Sequence, residues 1–161
     1  MAPASHRVAL GLGSNLGDRR AHLGIAAARL GQTAVSALQM SSMLETEPVD
    51  CPDDAGPYLN AAVVGRTTLS PSDLHAACES VEDKMGRPRR RGYHDNRIID
   101  IDILLYDDLG VDTAALRIPH MYLTCRDFVL RPLSELAPEW PVPPDNITVA
   151  AHLETMTSDV C

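Results

Sequence analysis

Apolar and polar positions alternate along the chain with two periods, and the switches between them outline the elements. Val8-Ala9-Leu10-Gly11-Leu12 reads as a short strand entering the turn Gly13-Ser14-Asn15-Leu16-Gly17-Asp18. Leu23, Ala26, Ala27 and Leu30 then recur at helical spacing until Gly31. A second strand is expected across 34–44 and a third across 58–69, separated by a Pro-, Gly- and Asp-rich loop at 48–57. Ser70 and Pro71 supply an N-cap and first-turn proline for a helix presenting Leu74, Cys78, Val81 and Met85 up to Gly86. A further strand covers 97–106. The order is β-α-β-β-α-β, which predicts an α+β fold: a ferredoxin-like βαββαβ sandwich with an antiparallel sheet and helices packed against it. C-terminal additions follow: a short strand near 116–119, a helix around 124–131, a Pro-rich stretch at 138–144 and an amphipathic tail at 147–156.

The strand at 97–106 carries the most informative chemistry. Alternation puts Ile99, Ile101, Ile103 and Leu105 in one apolar row and Asp100 and Asp102 on the other face. The two acids stand roughly 6–7 Å apart along the strand. Partly shielded, they repel by roughly 3 kcal/mol at an effective dielectric of ~20. A hard divalent cation with oxygen ligands, Mg²⁺ above all, relieves that repulsion. A solvated sheet face with incidental acids is the alternative, and the apolar neighbours Ile98 and Leu104 argue against it.

Charge sharpens this picture. The net charge is −8, yet six of the fourteen Lys and Arg residues fall between Lys84 and Arg97, beside one acid, leaving eight bases against twenty-one acids elsewhere. That concentration suits a small polyphosphate better than a nucleic-acid duplex, which would require positive charge spread over a face. A chain of 161 residues with 45% apolar content is expected to form a single catalytic domain over 1–161. The four cysteines form no C-x-x-C pair, which predicts free thiols and no zinc site. The first seven residues lack an apolar signal core and no segment reaches membrane-spanning length, so the chain reads as cytoplasmic, with no membrane partner.

Other residues carry weaker signals. Gly11-Leu12-Gly13-Ser14-Asn15-Leu16-Gly17 matches a dinucleotide turn superficially but lacks the parallel repeat and the acid some 20 residues on. Either its glycines permit a tight turn, or they line a shelf for a flat heterocycle or phosphate. Tyr58 and Asn60 would point to one side of a strand, and the Asn amide suits the amide edge of a pyrimidinone. His120 after Pro119, and Arg126 near Phe128, the only Phe, are further candidates.

Taken in order, the runs 11–18, 45–48 and 58–62, Glu82 with Gly86-Arg87, 97–104, Pro119-His120, 126–130 and Pro132-Leu133 closely resemble the 6-hydroxymethyl-7,8-dihydropterin pyrophosphokinases of folate biosynthesis. The resemblance spans 8 to about 140. It implies a monomer in which ATP, as co-substrate, two Mg²⁺ ions and the pterin meet beside the sheet, with pyrophosphate passing from ATP to the pterin hydroxymethyl group and AMP leaving. By the same resemblance Asp100 and Asp102 hold the metals and, with Arg87 and Arg97, form the catalytic set. ATP would meet Glu82, Arg87, Arg89, Arg97, Ile103, Leu116, Ile118, His120 and Arg126, and the pterin would meet Thr46, Val49, Tyr58, Asn60 and Phe128. Two departures stand out: the basic loop ends Tyr93-His94-Asp95-Asn96-Arg97 without the common Trp, and Met121 follows His120 where Tyr is frequent. Altered lid energetics with the reaction retained are expected.

Two rival readings belong to other classes. A βαββαβ sheet with a basic loop is also an RNA-recognition architecture, but that requires aromatics on adjacent strands, and this chain is 4% aromatic. A non-catalytic metal- or nucleotide-sensing domain would bind ATP without releasing AMP.

Overall fold

The computed structural model describes residues 2–48, 55–87 and 96–156. Its centre is β1 (His6–Ser14), followed by α1 (Arg19–Thr33), β2 (Ser36–Met40), β3 (Leu44–Thr46), β4 (Tyr58–Thr67), α2 (Pro71–Lys84) and β5 (Asp100–Tyr106). The sheet runs β2-β4-β1-β5, with β3 also paired to β4, and every pairing is antiparallel. This is a mixed α/β molecule with helices packed on an antiparallel sheet. The remaining elements are β6 (Val111–Asp112), β7 (Arg117–Ile118), α3 (Asp127–Leu136), β8 (Pro141–Val142), β9 (Ile147–Thr148) and α4 (Val149–Thr155).

Side-chain size along β1 divides the molecule. Val8, Leu10 and Leu12 face α1 and α2, where they bury against Leu23, Leu30, Leu74 and Val81. Ala9, Gly11 and Gly13 alternate onto the opposite face. There Ala9 is covered by Leu130 and Leu133 of α3 and by Val142 and Val149. A Cβ on Gly13 would stand 3.4 Å from Asn60 Oδ1 and 3.7 Å from the Tyr58 ring, so the small residues bring that end of the sheet close to the side chains above it.

Several boundaries differ from the sequence expectation for identifiable reasons. The strand expected across 34–44 splits into β2 and β3 because Ser41 interrupts it: its backbone N–H donates to Ala62 O at 2.9 Å while its Oγ accepts from Ala62 N at 2.8 Å. The expected alternation in β5 breaks at a bulge, since Leu10 pairs with Ile103 and Ala9 with Leu105. Leu105 therefore joins Leu104 on the α3 face, and Tyr106 takes over the row of Ile99, Ile101 and Ile103. The third helix runs through Pro132 to Leu136 instead of stopping at Arg131. Pro132 is buried there, and tertiary packing outweighs the one intrahelical bond its missing N–H forgoes. Ser70 caps α2 as expected, accepting from Asp73 N, with Pro71 at the first position.

Among the cysteines, Cys78 is free and buried, and desolvation pushes its thiol up to about 12. Cys125 departs from the expectation of free thiols because its sulfur is disulfide-bonded. No helix among the described residues is long and apolar enough to cross a membrane.

Candidate active site

A cavity of about 390 Å³ opens where the small-residue face of β1 leaves the cover of α3. Its floor is Gly11 to Gly13 with Asn60, Ala61, Asp100, Asp102 and Leu104; its walls include Thr46, Glu47, Tyr58, Arg87, Arg97, His120, Tyr122, Arg126, Phe128 and Val129. Sheet register brings these together, since Gly13 pairs with Asn60 on one side and with Asp100 on the other. The glycine turn thus serves as a backbone shelf between the two sets of side chains.

Asp100 is bracketed by guanidinium groups. Arg87 donates to its Oδ1 at 2.7 Å and Arg97 to its Oδ2 at 3.0 Å. Arg87 also donates to Glu82, whose Oε1 accepts from Ile101 N at 2.7 Å. Both side chains of that second pair are only 3% exposed. Glu82 therefore fixes Arg87 and the start of β5 from below, and the structure does not bring it into the cavity as an ATP contact. A side chain this buried needs partners in place of water, and the Arg87 guanidinium and the Ile101 N–H supply them.

Asp102 has no such partner among the described ion pairs; its nearest is His120 Nε2 at 3.8 Å. Desolvation, with repulsion from Asp100 and Glu82, pushes its carboxyl up to about 7 against the pull of Arg87 and Arg97. The side chain remains 47% exposed to the open cavity, so water moderates this shift without reversing its direction. Burial, reinforced by Arg126 and opposed by Asp100, lowers the pKa of His120. For Arg97, burial acts downward and is the largest single influence, but Asp100, Tyr58 and Asp102 together outweigh it and the net shift is upward.

Two hard oxygen donors beside a carboxylate that resists ionising are a fitting start for a divalent cation, whose charge would reverse that resistance. Among the described residues no three His, Cys, Asp or Glu side chains converge, so the described side chains alone do not complete a coordination shell. That suits Mg²⁺, which retains water and takes ligands from bound phosphates. The buried Nε atoms of Arg87 and Arg97 have no hydrogen-bond partner among the described residues, although both side chains line the cavity.

The other end of the cavity is flatter. Asn60 Nδ2 donates to Thr46 Oγ1 at 2.9 Å, which orients the amide, and Tyr58 lines the same wall. Across the cavity the Arg126 guanidinium lies 4.1 Å from the centre of the Tyr122 ring and 5.6 Å from that of Phe128.

Of the residues predicted from sequence, Thr46, Tyr58, Asn60, Arg87, Arg97, Asp100, Asp102, His120, Arg126 and Phe128 line this cavity. Ile103, Leu116 and Ile118 do not: they pack in the core beneath α1 and α2. The bulge in β5 does not carry Ile103 to the cavity side, since it falls after that residue. Val49 and Arg89 lie outside the described residues. Tyr122, Glu47, Leu104 and Val129 line the cavity without having been anticipated. Met121 is 53% exposed, and Tyr122, one residue later, is the ring that lines the cavity. The signal was present in Pro119-His120-Met121-Tyr122, but a turn has no fixed side-chain period from which to read direction.

Paired acids and converging arginines beside Tyr58 and Asn60, on a helix-covered antiparallel sheet, are the side-chain set that phosphoryl transfer calls for. The family described as 7,8-dihydro-6-hydroxymethylpterin-pyrophosphokinase (HPPK) matches residues 9–138, and the chain belongs to that family. It is 40% identical over 128 residues to the 2-amino-4-hydroxy-6-hydroxymethyldihydropteridine pyrophosphokinase of Bacillus subtilis, covering 79% of this chain and 75% of that protein. The Methylorubrum extorquens protein of the same name is 40% identical over 134 residues, covering 83% and 84%. Among solved structures, Plasmodium falciparum HPPK-DHPS with pteroate shares the fold at a TM-score of 0.74 and 15% identity. The match covers 96% of this chain but only 45% of that longer one.

Proposed function

We propose that this chain transfers pyrophosphate from ATP to 6-hydroxymethyl-7,8-dihydropterin, yielding the pterin diphosphate and AMP in folate biosynthesis. The observation that carries this reading is one cavity that joins Asp100, Asp102, Arg87 and Arg97 to Tyr58, Asn60 and Phe128. The hydroxymethyl oxygen attacks the β-phosphorus, the bond from that phosphorus to the α-phosphate oxygen breaks, and the hydroxyl proton is released. Such a transfer depends on in-line positioning and charge neutralisation more than on covalent help.

Each group has a definable part. Arg87 and Arg97 present guanidinium donors to the phosphates where charge develops. His120 donates to a phosphate oxygen through Nε2, and Arg126 adds a cation along the phosphate path. Asn60 reads the amide edge of the pterin, Thr46 holds Asn60, and Tyr58 and Phe128 lie against the ring faces. Asp100 and Asp102 would hold Mg²⁺, two ions by this reading, which when bound neutralises phosphate charge and fixes ATP.

The strand order and the two helices on one face support a ferredoxin-like core with C-terminal additions on the opposite face. We read the chain as one catalytic domain, monomeric and cytoplasmic, with small-molecule partners only. The RNA-module alternative is not favoured: the central strands β1 and β4 carry one Phe, Tyr or Trp ring between them, Tyr58, and the neighbouring edge strand β5 presents acids. Incubation with ATP, Mg²⁺ and the pterin, followed by nucleotide chromatography, tests the reading. AMP equal to pterin consumed is expected; ADP in its place would contradict it.

A further inference from the structure

Two buried polar side chains that the chemistry above does not use, Ser14 and Asn15, stand in the glycine turn, and Asn15 reaches the basic segment. Asn15 is 7% exposed and follows β1 directly. Its backbone N–H donates to Arg97 O at 3.1 Å, its Oδ1 accepts from Arg97 N at 2.6 Å, and its Nδ2 donates to Asn96 Oδ1 at 2.8 Å. The amide orientation follows from these neighbours, since the reverse would set two N–H groups against each other at Arg97.

The position of this staple gives it consequence. Regular pairing of β5 with β1 begins at Asp100 opposite Gly13, so the segment carrying Arg97 lies beyond the ladder. Asn15 holds that segment in place of strand pairing. From the fixed backbone the Arg97 side chain reaches forward to Asp100 Oδ2 at 3.0 Å, with its Nε buried. A turn asparagine serving only its own turn bonds backbone about two residues on. The two amide bonds of Asn15 instead reach residues 81 and 82 positions away.

We propose that Asn15 is a positioning residue for Arg97: it fixes the backbone from which that guanidinium meets the ATP phosphates and acts on the transfer through Arg97 without touching substrate. The inference rests on the function proposed above and adds to it a residue whose effect is conditional on another.

A double-mutant cycle tests it. Asn15→Ala and Asn15→Asp are made with Arg97 present and in an Arg97→Ala background. For each, kcat, melting temperature and affinity for the Mg²⁺ complex of a non-hydrolysable ATP analogue are measured. With Arg97 present, Asn15→Ala should lower kcat about 10- to 100-fold, the scale of a misplaced catalytic group. Asn15→Asp keeps an acceptor for the Arg97 N–H and should retain more activity. In the Arg97→Ala background Asn15→Ala should cost no further kcat or nucleotide affinity, although its effect on melting temperature persists. Equal fold-losses in both backgrounds, or a fall in melting temperature alone, would overturn the proposal. Should Asn15→Ala not fold, Asn15→Asp and Asn15→Ser carry the same cycle and decide it by the same criterion. If the wild type turns over no pterin, the proposed function fails while the nucleotide-affinity cycle still decides Asn15.

Discussion

His120 stands with Nε2 3.8 Å from Asp102 Oδ2, and the Tyr122 backbone N–H donates to the opposite ring nitrogen at 3.2 Å. A neutral imidazole that accepts at Nδ1 carries its proton on Nε2. Burial and Arg126 favour that neutral form, so the ring presents a donor to the cavity and not a second charge. Replacing His120 by Ala should raise the KM for ATP about 10- to 100-fold, as expected for a lost hydrogen bond to a charged group. Steady-state kinetics check this, and an unchanged KM would remove His120 from the phosphate site.

Asp102 predicts a pH dependence of the metal-free protein. Its folded pKa is raised from 3.8 to about 7, so between those values the folded state keeps a proton that the unfolded state releases. The contribution to stability is complete below about pH 4, declines as pH rises to about 7 and is flat above. The full shift is discounted for solvent in the half-exposed site, leaving an expected slope worth about 1–2 kcal/mol. Asp102→Asn should remove it and leave the melting temperature at neutral pH unchanged or higher, while Mg²⁺ with an ATP analogue stabilises the variant less than wild type. Thermal melts across pH measure both; a variant that keeps the slope, or melts lower at neutral pH, contradicts the assignment.

Glu82 offers the opposite case, an acid whose removal should damage folding. Glu82→Gln leaves Arg87 buried with Asp100 as its remaining carboxylate partner among the described residues, and breaking such a pair costs about 3–5 kcal/mol. Urea unfolding would register the loss. A change below about 0.5 kcal/mol, the range of ordinary surface substitutions, would mean that Glu82 does not support Arg87.

The rings around Arg126 make separable predictions. Tyr122→Leu removes the closer cation–π contact and should raise the KM for ATP about three- to tenfold, whereas Tyr122→Phe should stay near wild type. Phe128→Ala should weaken pterin binding by about 1–3 kcal/mol while sparing ATP affinity. Parallel loss of pterin binding, ATP binding and folding in Phe128→Ala would mark the ring as core.

How much of this was legible follows from the period of each element. Tyr58 and Asn60 share a strand face and both line the cavity, as do Asp100 and Asp102, because alternation is local and was read directly. Ser70 and Pro71 announced α2 for the same reason. Leu105 was assigned to the wrong face because a bulge depends on the partner strand, and the split at Ser41 depends on Ala62. Two bracketing arginines already relieve Asp100, so the repulsion anticipated for the pair falls on Asp102. Glu82 carried a motif signal, but sequence could not distinguish a ligand contact from support beneath Arg87. Asn15 likewise was part of a recognised turn, and only tertiary structure reveals that its amide holds Arg97.

The central claim is that this cavity moves a pyrophosphoryl group as a unit, and the fate of the β-phosphorus tests it most directly. ATP carrying radioactive phosphorus at that atom is incubated with Mg²⁺, the pterin and the enzyme, and the products are separated by chromatography and counted. The label is expected in the pterin diphosphate, with unlabelled AMP in equal amount. Label retained in ADP, with a single phosphate on the pterin, would contradict it.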